Sequence, residues 1–316
     1  MAGDPARTGA GGTGHHRSVL TMAAIITLAA GGMRAEVAPA IGGALLSLSR
    51  DGADIMRPTP ADAVATGQVR RTACYPMLPY ANRIADGRFL FAGRWHHVPR
   101  NTPDINHPLH GLGWQREWVV DEQSDTHVHL RLSYQPATVG QADWPYPFTA
   151  RMAYRLDDAS LEIGLDLTND SQGMAPAGAG LHPFFRRGAG TMLRFSSLSH
   201  WRSGADGLPE KVIMPPDPDF RHGRHLDDSV VDGDFPGWAG IAHMTGSVPG
   251  LLVSLRADRI FGTLRVYTPV GRDFFAVEPV THGANALNQP ELPPMTILAP
   301  GASLSGTVRI NAEPLA

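Results

Sequence analysis

Residues 148–167 read FTARMAYRLDDASLEIGLDL. Phe148, Ala150, Met152, Tyr154 and Leu156 alternate with Thr149, Arg151, Ala153 and Arg155, and Leu161, Ile163, Leu165 and Leu167 then alternate with Glu162, Gly164 and Asp166. Successive side chains of a strand point to opposite faces, so a period of two marks a strand with one apolar and one solvated face. Asp157-Asp158-Ala159-Ser160 between the two runs reads as a hairpin loop. Upstream, Val128, Leu130, Leu132 and Tyr134 alternate with His127, His129, Arg131 and Ser133. Downstream, the apolar runs 251–255, 264–267, 274–277 and 307–310 are strand-length and bounded by Gly, Pro or Asp. Near the N-terminus, Ile25-Ile26-Thr27-Leu28 leads through Ala29-Ala30 and a Gly31-Gly32 turn into the alternating Met33-Arg34-Ala35-Glu36-Val37, a further hairpin. The rival reading of His15 to Ala30 is a signal peptide, with Arg17 ahead of an apolar run. No useful window shows a period of 3.6. The pattern predicts an all-β chain, one large antiparallel β-sandwich.

Composition agrees. Glycine (35) and proline (27) make about a fifth of the 316 residues, against roughly 12% in an average protein, and both interrupt helices. Apolar residues are 42%, enough for a sizeable core. Residues 1–18 are small, polar and glycine-rich and read as a disordered N-terminal extension, leaving 19–316 as one domain without linker or internal repeat. The segment 203–238, with Pro209, Pro215, Pro216, Pro218 and Pro236, reads as a long irregular excursion, the kind of loop that usually carries function.

Several function classes are excluded or disfavoured. A net charge of −3 gives no general attraction for nucleic acid or for an anionic membrane. No apolar run approaches the ~18 residues of a spanning helix. Lys211 is the only lysine, so there is no Walker-type loop and a single Schiff-base candidate. The one cysteine, Cys74, rules out intrachain disulfides and multi-cysteine metal sites, and reads as a buried small hydrophobe. Gly9, Gly11 and Gly14 have dinucleotide-fingerprint spacing but lack a preceding strand. Fourteen histidines include the pairs His107/His110 and His222/His225 and the adjacent His96-His97. None has the HExxH spacing of a zinc helix, and Pro108 lies inside the first pair, so hydrogen-bonded histidine is the better reading and no metal is assigned. No GxSxG elbow supports a hydrolase.

Four polar islands stand in glycine- and proline-marked apolar surroundings, each at an expected strand end. They are Pro79-Tyr80-Ala81-Asn82-Arg83-Ile84, His110-Gly111-Leu112-Gly113-Trp114, Leu181-His182-Pro183-Phe184-Phe185 and Val277-Glu278-Pro279-Val280-Thr281-His282. Each alone has a bland explanation: Arg83 as a surface ion-pair partner, His182 as a hydrogen-bonded core histidine, Glu278 as a loop carboxylate with Pro279 ending its strand.

In this order they resemble the aldose 1-epimerases, also called galactose mutarotases, from about Ile25 to Ile310. Val37-Ala38-Pro39-Ala40-Ile41-Gly42-Gly43 resembles the family's opening strand and Gly-Gly turn. The resemblance implies a β-sandwich of the galactose-mutarotase type. It implies Asn82, Arg83 and His110 as sugar-binding residues, His182 as general acid and Glu278 as general base. Asp232, three residues before Phe235, matches an aspartate that binds ring hydroxyls, with Asp228 and Asp234 as rival candidates. Arg265 is read where better-known members carry a sugar-binding glutamine.

The implied activity interconverts the α and β anomers of a free aldose. The base removes the proton of the C1 hydroxyl while the acid protonates the ring oxygen; the ring opens, the aldehyde rotates about C1–C2, and reverse transfers close it on the other face. Each positioned group typically contributes roughly 10²–10⁴-fold. A carboxylate and an imidazolium on opposite sides of the sugar suffice near neutrality if the site raises the histidine slightly above its reference pKa of about 6.5. No cofactor is needed, and the implied partner is a monosaccharide bound by a cytoplasmic monomer or homodimer, with no nucleic acid or membrane. Two alternatives stay open: a sugar-phosphate 1-epimerase with Arg265 or another arginine on the phosphate, and a non-catalytic sugar-binding protein of the same fold. The free sugar is favoured because the arginines are spread along the chain and no helix offers its N-terminus to a phosphate.

Overall fold

The computed structural model describes residues 24–137, 143–227 and 230–315. It is nearly all β, 47% strand and 5% helix. Phe148–Leu156 and Ser160–Asn169 form the hairpin expected from the alternation, in register from Phe148 opposite Asn169 to Leu156 opposite Leu161. The turn is tightened by the Asp157 carboxylate, which accepts the Ala159 and Ser160 N–H groups at 2.9 and 2.6 Å. Phe148, Ala150, Met152, Tyr154 and Leu156 all face inward, as do Val128, Leu130, Leu132 and Tyr134 of the neighbouring strand His127–Tyr134.

These strands belong to a nine-stranded antiparallel sheet, completed on the other side of Ser160–Asn169 by Ser303–Pro314, Leu251–Ala257 and further strands. A second sheet of eight strands runs from Pro209–Ile213 through His200–Ser203, Asp232–Pro236, Thr263–Tyr267 and Phe274–Val280 to Gly180–Leu181 and Pro76–Met77, with Phe184–Arg186 also pairing with Phe274–Val280. Leu264, Val266, Phe275 and Val277 of this sheet join Met152, Tyr154, Ile163 and Leu165 of the other in one apolar core. The fold is the expected large antiparallel β-sandwich. The hairpin Ile26–Ala30 with Met33–Ala38 opens a smaller four-stranded sheet. It is tied to the sandwich where the buried Tyr154 hydroxyl donates to Gly43 O at 2.7 Å, as a buried phenol requires. Cys74 is fully buried in the same core, as expected.

The segment 203–238 departs from the reading as an irregular excursion. It contains Pro209–Ile213, Arg224–His225 and Asp232–Pro236. Pro209 opens the outermost strand of its sheet and Pro236 closes an inner one. At such positions a missing N–H breaks no ladder, so proline marks the ends of these strands without excluding them. The disordered reading of 1–18 lies outside the described residues, as do residues 15–23 of the signal-peptide reading, while Ile26–Ala30 at the end of that reading is the first strand of the hairpin. Among the described residues no helix is long and apolar enough to cross a membrane.

Candidate active site

Three adjacent strands of the eight-stranded sheet build the floor. Asp234 pairs across to Arg265, and Arg265 pairs across to Glu278, so the three side chains share one face. Leu264 and Val266, pointing the other way, go into the core. Glu278 sits inside Phe274–Val280 and the strand continues through Pro279, not at a strand end as expected from the sequence. His182 lies between Gly180–Leu181 and Phe184–Arg186, with its backbone N–H donating to Tyr75 O at 3.0 Å. Its imidazole stacks on Tyr75 (4.8 Å between centroids) and on Phe184 (4.3 Å).

The loops carrying Asn82 and His110 lock each other. His110 N–H donates to Asn82 O at 2.8 Å, and Asn82 N–H donates to His110 Nδ1 at 3.0 Å. Because Nδ1 accepts, the neutral ring carries its proton on Nε2. Both residues hold left-handed backbone, φ 59° and 58°, a conformation that costs about 1–3 kcal/mol for a residue with a side chain and that clusters at functional sites. His282 steadies the same loop, its Nε2 accepting the Ala81 N–H at 3.1 Å. Gly111 follows at φ +67°, and a Cβ there would lie 2.1 Å from Leu78 O. Gly111→Ala is therefore expected to cost about 2 kcal/mol or more and, by displacing His110, to raise KM. Thermal unfolding and steady-state kinetics of the variant check both; an unchanged Tm contradicts the packing.

These residues meet at one cavity of about 920 Å³, lined by Asn82, Arg83, His110, His182, Asp232, Arg265 and Glu278 together with Arg57, Tyr75, Phe184 and others. All seven candidates from the sequence thus lie on one wall system. Of the three rival aspartates, Asp232 lines the cavity. Asp234 is buried beneath it, accepting from Arg265 Nη1 (2.8 Å) and from the Ala284 N–H (2.8 Å). Asp228 lies outside the described residues. His107, paired with His110 in sequence, turns away and accepts the Asp86 N–H at 3.0 Å.

His182 Nε2 is 3.3 Å from Glu278 Oε1. This corrects the picture of an acid and a base flanking the sugar on opposite sides: the two groups are neighbours. Neighbours suit the chemistry, because the C1 hydroxyl and the ring oxygen are bonded to the same carbon. Arg265, buried, is bound by Asp232 and Asp234 and donates to Ser203 Oγ at 3.1 Å. Burial alone would lower its pKa, but the two carboxylates hold it above its ordinary value.

Burial raises Glu278 to about 8, against the opposing pull of Arg265. It pushes His182 well below its ordinary value, helped by the Arg57 and Arg265 cations, and His110 likewise, with His182 and Arg83 adding to the effect. The expectation that the site raises His182 is thus overturned. Sandwiched between Tyr75 and Phe184 and facing two guanidinium groups, an imidazolium loses water and gains repulsion.

Among the described residues, nine buried side-chain nitrogen or oxygen atoms lack a hydrogen-bond partner. Five of them, Arg57 Nε, Asn82 Nδ2, Arg83 Nε, His182 Nδ1 and Glu278 Oε2, belong to residues lining this cavity. Buried polar groups are normally paired, so their concentration here marks a surface built for a polar ligand.

The aldose 1-epimerase family model matches residues 24–311. The chain belongs to the aldose 1-epimerase family. The uncharacterised Escherichia coli K12 protein YphB is 26% identical over 298 residues, covering 92% of this chain and 99% of that protein. A galactose mutarotase-like protein from Clostridium acetobutylicum superposes with a TM-score of 0.82 at 19% identity, covering 92% of this chain and 95% of its own. The GalM/aldose epimerase homologue from C. elegans does so at 0.78 and 18%, covering 93% and 99%. At those identities the two structures establish the common fold. In this aldose 1-epimerase family member, sequence reasoning missed Arg57, Tyr75 and the arginine-fixing role of Asp234. Only Asp234 had a signal, as a rival to Asp232.

Proposed function

We propose that the protein is an aldose 1-epimerase in which Glu278 and His182 carry out the two proton transfers. The observation that carries this reading is the 3.3 Å approach of His182 Nε2 to Glu278 Oε1 on the wall of the cavity. The Glu278 carboxylate takes the proton of the C1 hydroxyl, and the His182 imidazolium gives one to the ring oxygen. The C1–O5 bond breaks, leaving an aldehyde, a neutral carboxyl and a neutral imidazole. Burial disfavours both starting charges, so the pair rests as a neutral carboxyl and a neutral imidazole. Its one proton must pass from Glu278 to His182 across the 3.3 Å gap before this transfer begins. After rotation about C1–C2, His182 takes the proton back from the C5 hydroxyl and Glu278 returns its own to the aldehyde oxygen as the ring closes. The His110 Nε2–H, the Asn82 amide, Arg83 and Asp232 hold the remaining hydroxyls. The test is polarimetry of fresh α-glucose and α-galactose with purified protein: rotation must decay faster in proportion to enzyme added. A rate equal to the buffer rate removes the reading.

The pair works with one proton between its two members, so pH dependence follows from the environment of each. Activity falls on the acid side only where both are protonated, well below the ordinary histidine value because His182 is held down. It falls on the alkaline side where both are bare, near the value of about 8 to which Glu278 is raised. A bell-shaped kcat/KM profile with an alkaline limb near 8 is expected; its two limits belong to the pair as a unit. A profile that falls off near 6.5, or one still rising at about pH 9, contradicts the assignment.

A further inference from the structure

The fold gathers arginines that are scattered in sequence around one cavity, and it distributes their partners unevenly. Arg70, Arg71 and Arg186 pair with Asp104, Asp62 and Asp54. Arg265, the residue first considered for a phosphate, is held between Asp232 and Asp234 and is already neutralised. Arg83 and Arg57, both lining the cavity, have no carboxylate in an ion pair among the described residues. Arg83 is turned to Asn82 Oδ1 (3.3 Å) and Gly207 O (3.4 Å), beside the Asn82 and His110 loops. Asp273 attracts Arg57 only from farther away, and what sets Arg57 apart is its packing. Its Nη2 donates to Thr72 O (2.7 Å) and Arg70 O (3.1 Å). Its Nε is buried without a partner. Its guanidinium carbon lies 3.8 Å from the centroid of Phe184 and 4.4 Å from that of Phe274, so the cation is fixed in place by two rings. Arg272, exposed at the cavity rim, supplies a second positive charge.

The position relative to the acid is informative. Phe184 stacks with the His182 imidazole at 4.3 Å and with the Arg57 guanidinium, which places the cation within two stacking distances of the acid. His182 addresses the ring oxygen, and the atom on the far side of that oxygen from C1 is C5, which carries the exocyclic C6. A group on C6 therefore leaves the ring on the His182 side. The cavity, about 920 Å³, lies near the top of the range of about 300–1,000 Å³ that serves drug-sized ligands, so it has room beyond a bare hexose.

We propose that Arg57 binds an anionic group on C6, a carboxylate or a phosphate ester, and that the substrate of this epimerase is an anionic aldose. The proposal rests on the reading of His182 as the acid at the ring oxygen. Arginines separated in sequence meet at this cavity, so their dispersal does not favour a free sugar. They are dispersed along the chain but not in space.

The experiment compares glucose, glucuronate and glucose 6-phosphate by magnetisation exchange between their anomeric protons, which needs no freshly dissolved anomer. Wild type, Arg57→Gln and Arg57→Lys are each measured at low and at raised salt. At least one anionic sugar is expected to exceed glucose in kcat/KM by about tenfold or more at low salt, with the advantage shrinking as salt rises. Arg57→Gln should bring the ratio close to one, and Arg57→Lys should restore part of it by keeping the charge. Which anion leads distinguishes carboxylate from phosphate. Turnover of glucose with no anionic advantage, or an advantage that survives Arg57→Gln, overturns the proposal and leaves the epimerase reading standing. If no sugar is turned over, the epimerase reading fails and calorimetric titration decides the anion site. Binding of either anion weakened tenfold or more by Arg57→Gln supports the site, and no binding by wild type removes it.

Discussion

Glu278→Gln is expected to lower kcat by roughly 10²–10⁴-fold with a much smaller change in sugar binding. The amide has the shape of the carboxyl but cannot take the C1 hydroxyl proton. His182→Asn should lose a comparable factor, since an amide keeps a hydrogen bond to the ring oxygen but cannot protonate it. Full activity in either variant overturns the roles assigned to the pair. Stability supplies an independent readout for the first variant. A carboxyl whose folded pKa is raised from 4.5 to about 8 contributes fully to stability below its unfolded pKa, and that contribution is lost as pH rises through about 8. The neutral amide has no charge to bury. Glu278→Gln should therefore melt at a higher temperature than wild type above about pH 8, with the difference vanishing towards the acid side. Thermal unfolding from pH 5 to 9 checks this (endpoints about two units either side of neutral). A gain that grows toward acid pH contradicts the burial argument.

Asp234→Ala is expected to destabilise the fold by about 3–5 kcal/mol, the cost of leaving a buried guanidinium without its buried partner. Asp234 is 2% exposed and Arg265 is 5% exposed, so water replaces little of what is removed. The same substitution frees the Ala284 N–H that Asp234 accepts. Asp232 remains as a partner for Arg265, but its side chain is 43% exposed and solvent weakens its pull. Urea unfolding with an unchanged slope and a lowered midpoint is the expected result. A loss under about 1 kcal/mol would show that the pair does not hold this part of the sheet. The alkaline limb of activity should also move downward, because an arginine released from Asp234 stabilises the neighbouring Glu278 carboxylate.

The parts of the fold legible in the sequence are those where one face of a strand meets water. There, alternation is forced, and Phe148–Leu156, Ser160–Asn169 and His127–Tyr134 could be read almost to the residue. The strands that build the site are different. Thr263–Tyr267 is buried on both faces over four of its five residues, so a charged Arg265 in its middle reads as an interruption although it faces a polar cavity. The motif residues were found because the family places them in a recognisable order. Arg57 had no such help: it stands 25 residues before Asn82, and only the packing of Phe184 and Phe274 brings it to the same wall. The direction in which His182 titrates was equally hidden, since it depends on Tyr75, Phe184 and two distant guanidiniums.

The cross-strand alignment of Asp234, Arg265 and Glu278 has a consequence for which changes a lineage can accept. Replacing a side chain in these strands alters one contact and leaves the other two residues where they are. Gaining or losing a single codon inside Thr263–Tyr267 is another matter. Side chains alternate with a period of two, so a one-residue slip turns Arg265 into the apolar interior and brings Leu264 or Val266 to the cavity. Asp234 and Glu278 would then face each other across an apolar gap, both without their cation. Length variation in descendants of this protein should accordingly collect in the connections between strands, while the spacing within these three strands stays fixed even where their letters drift.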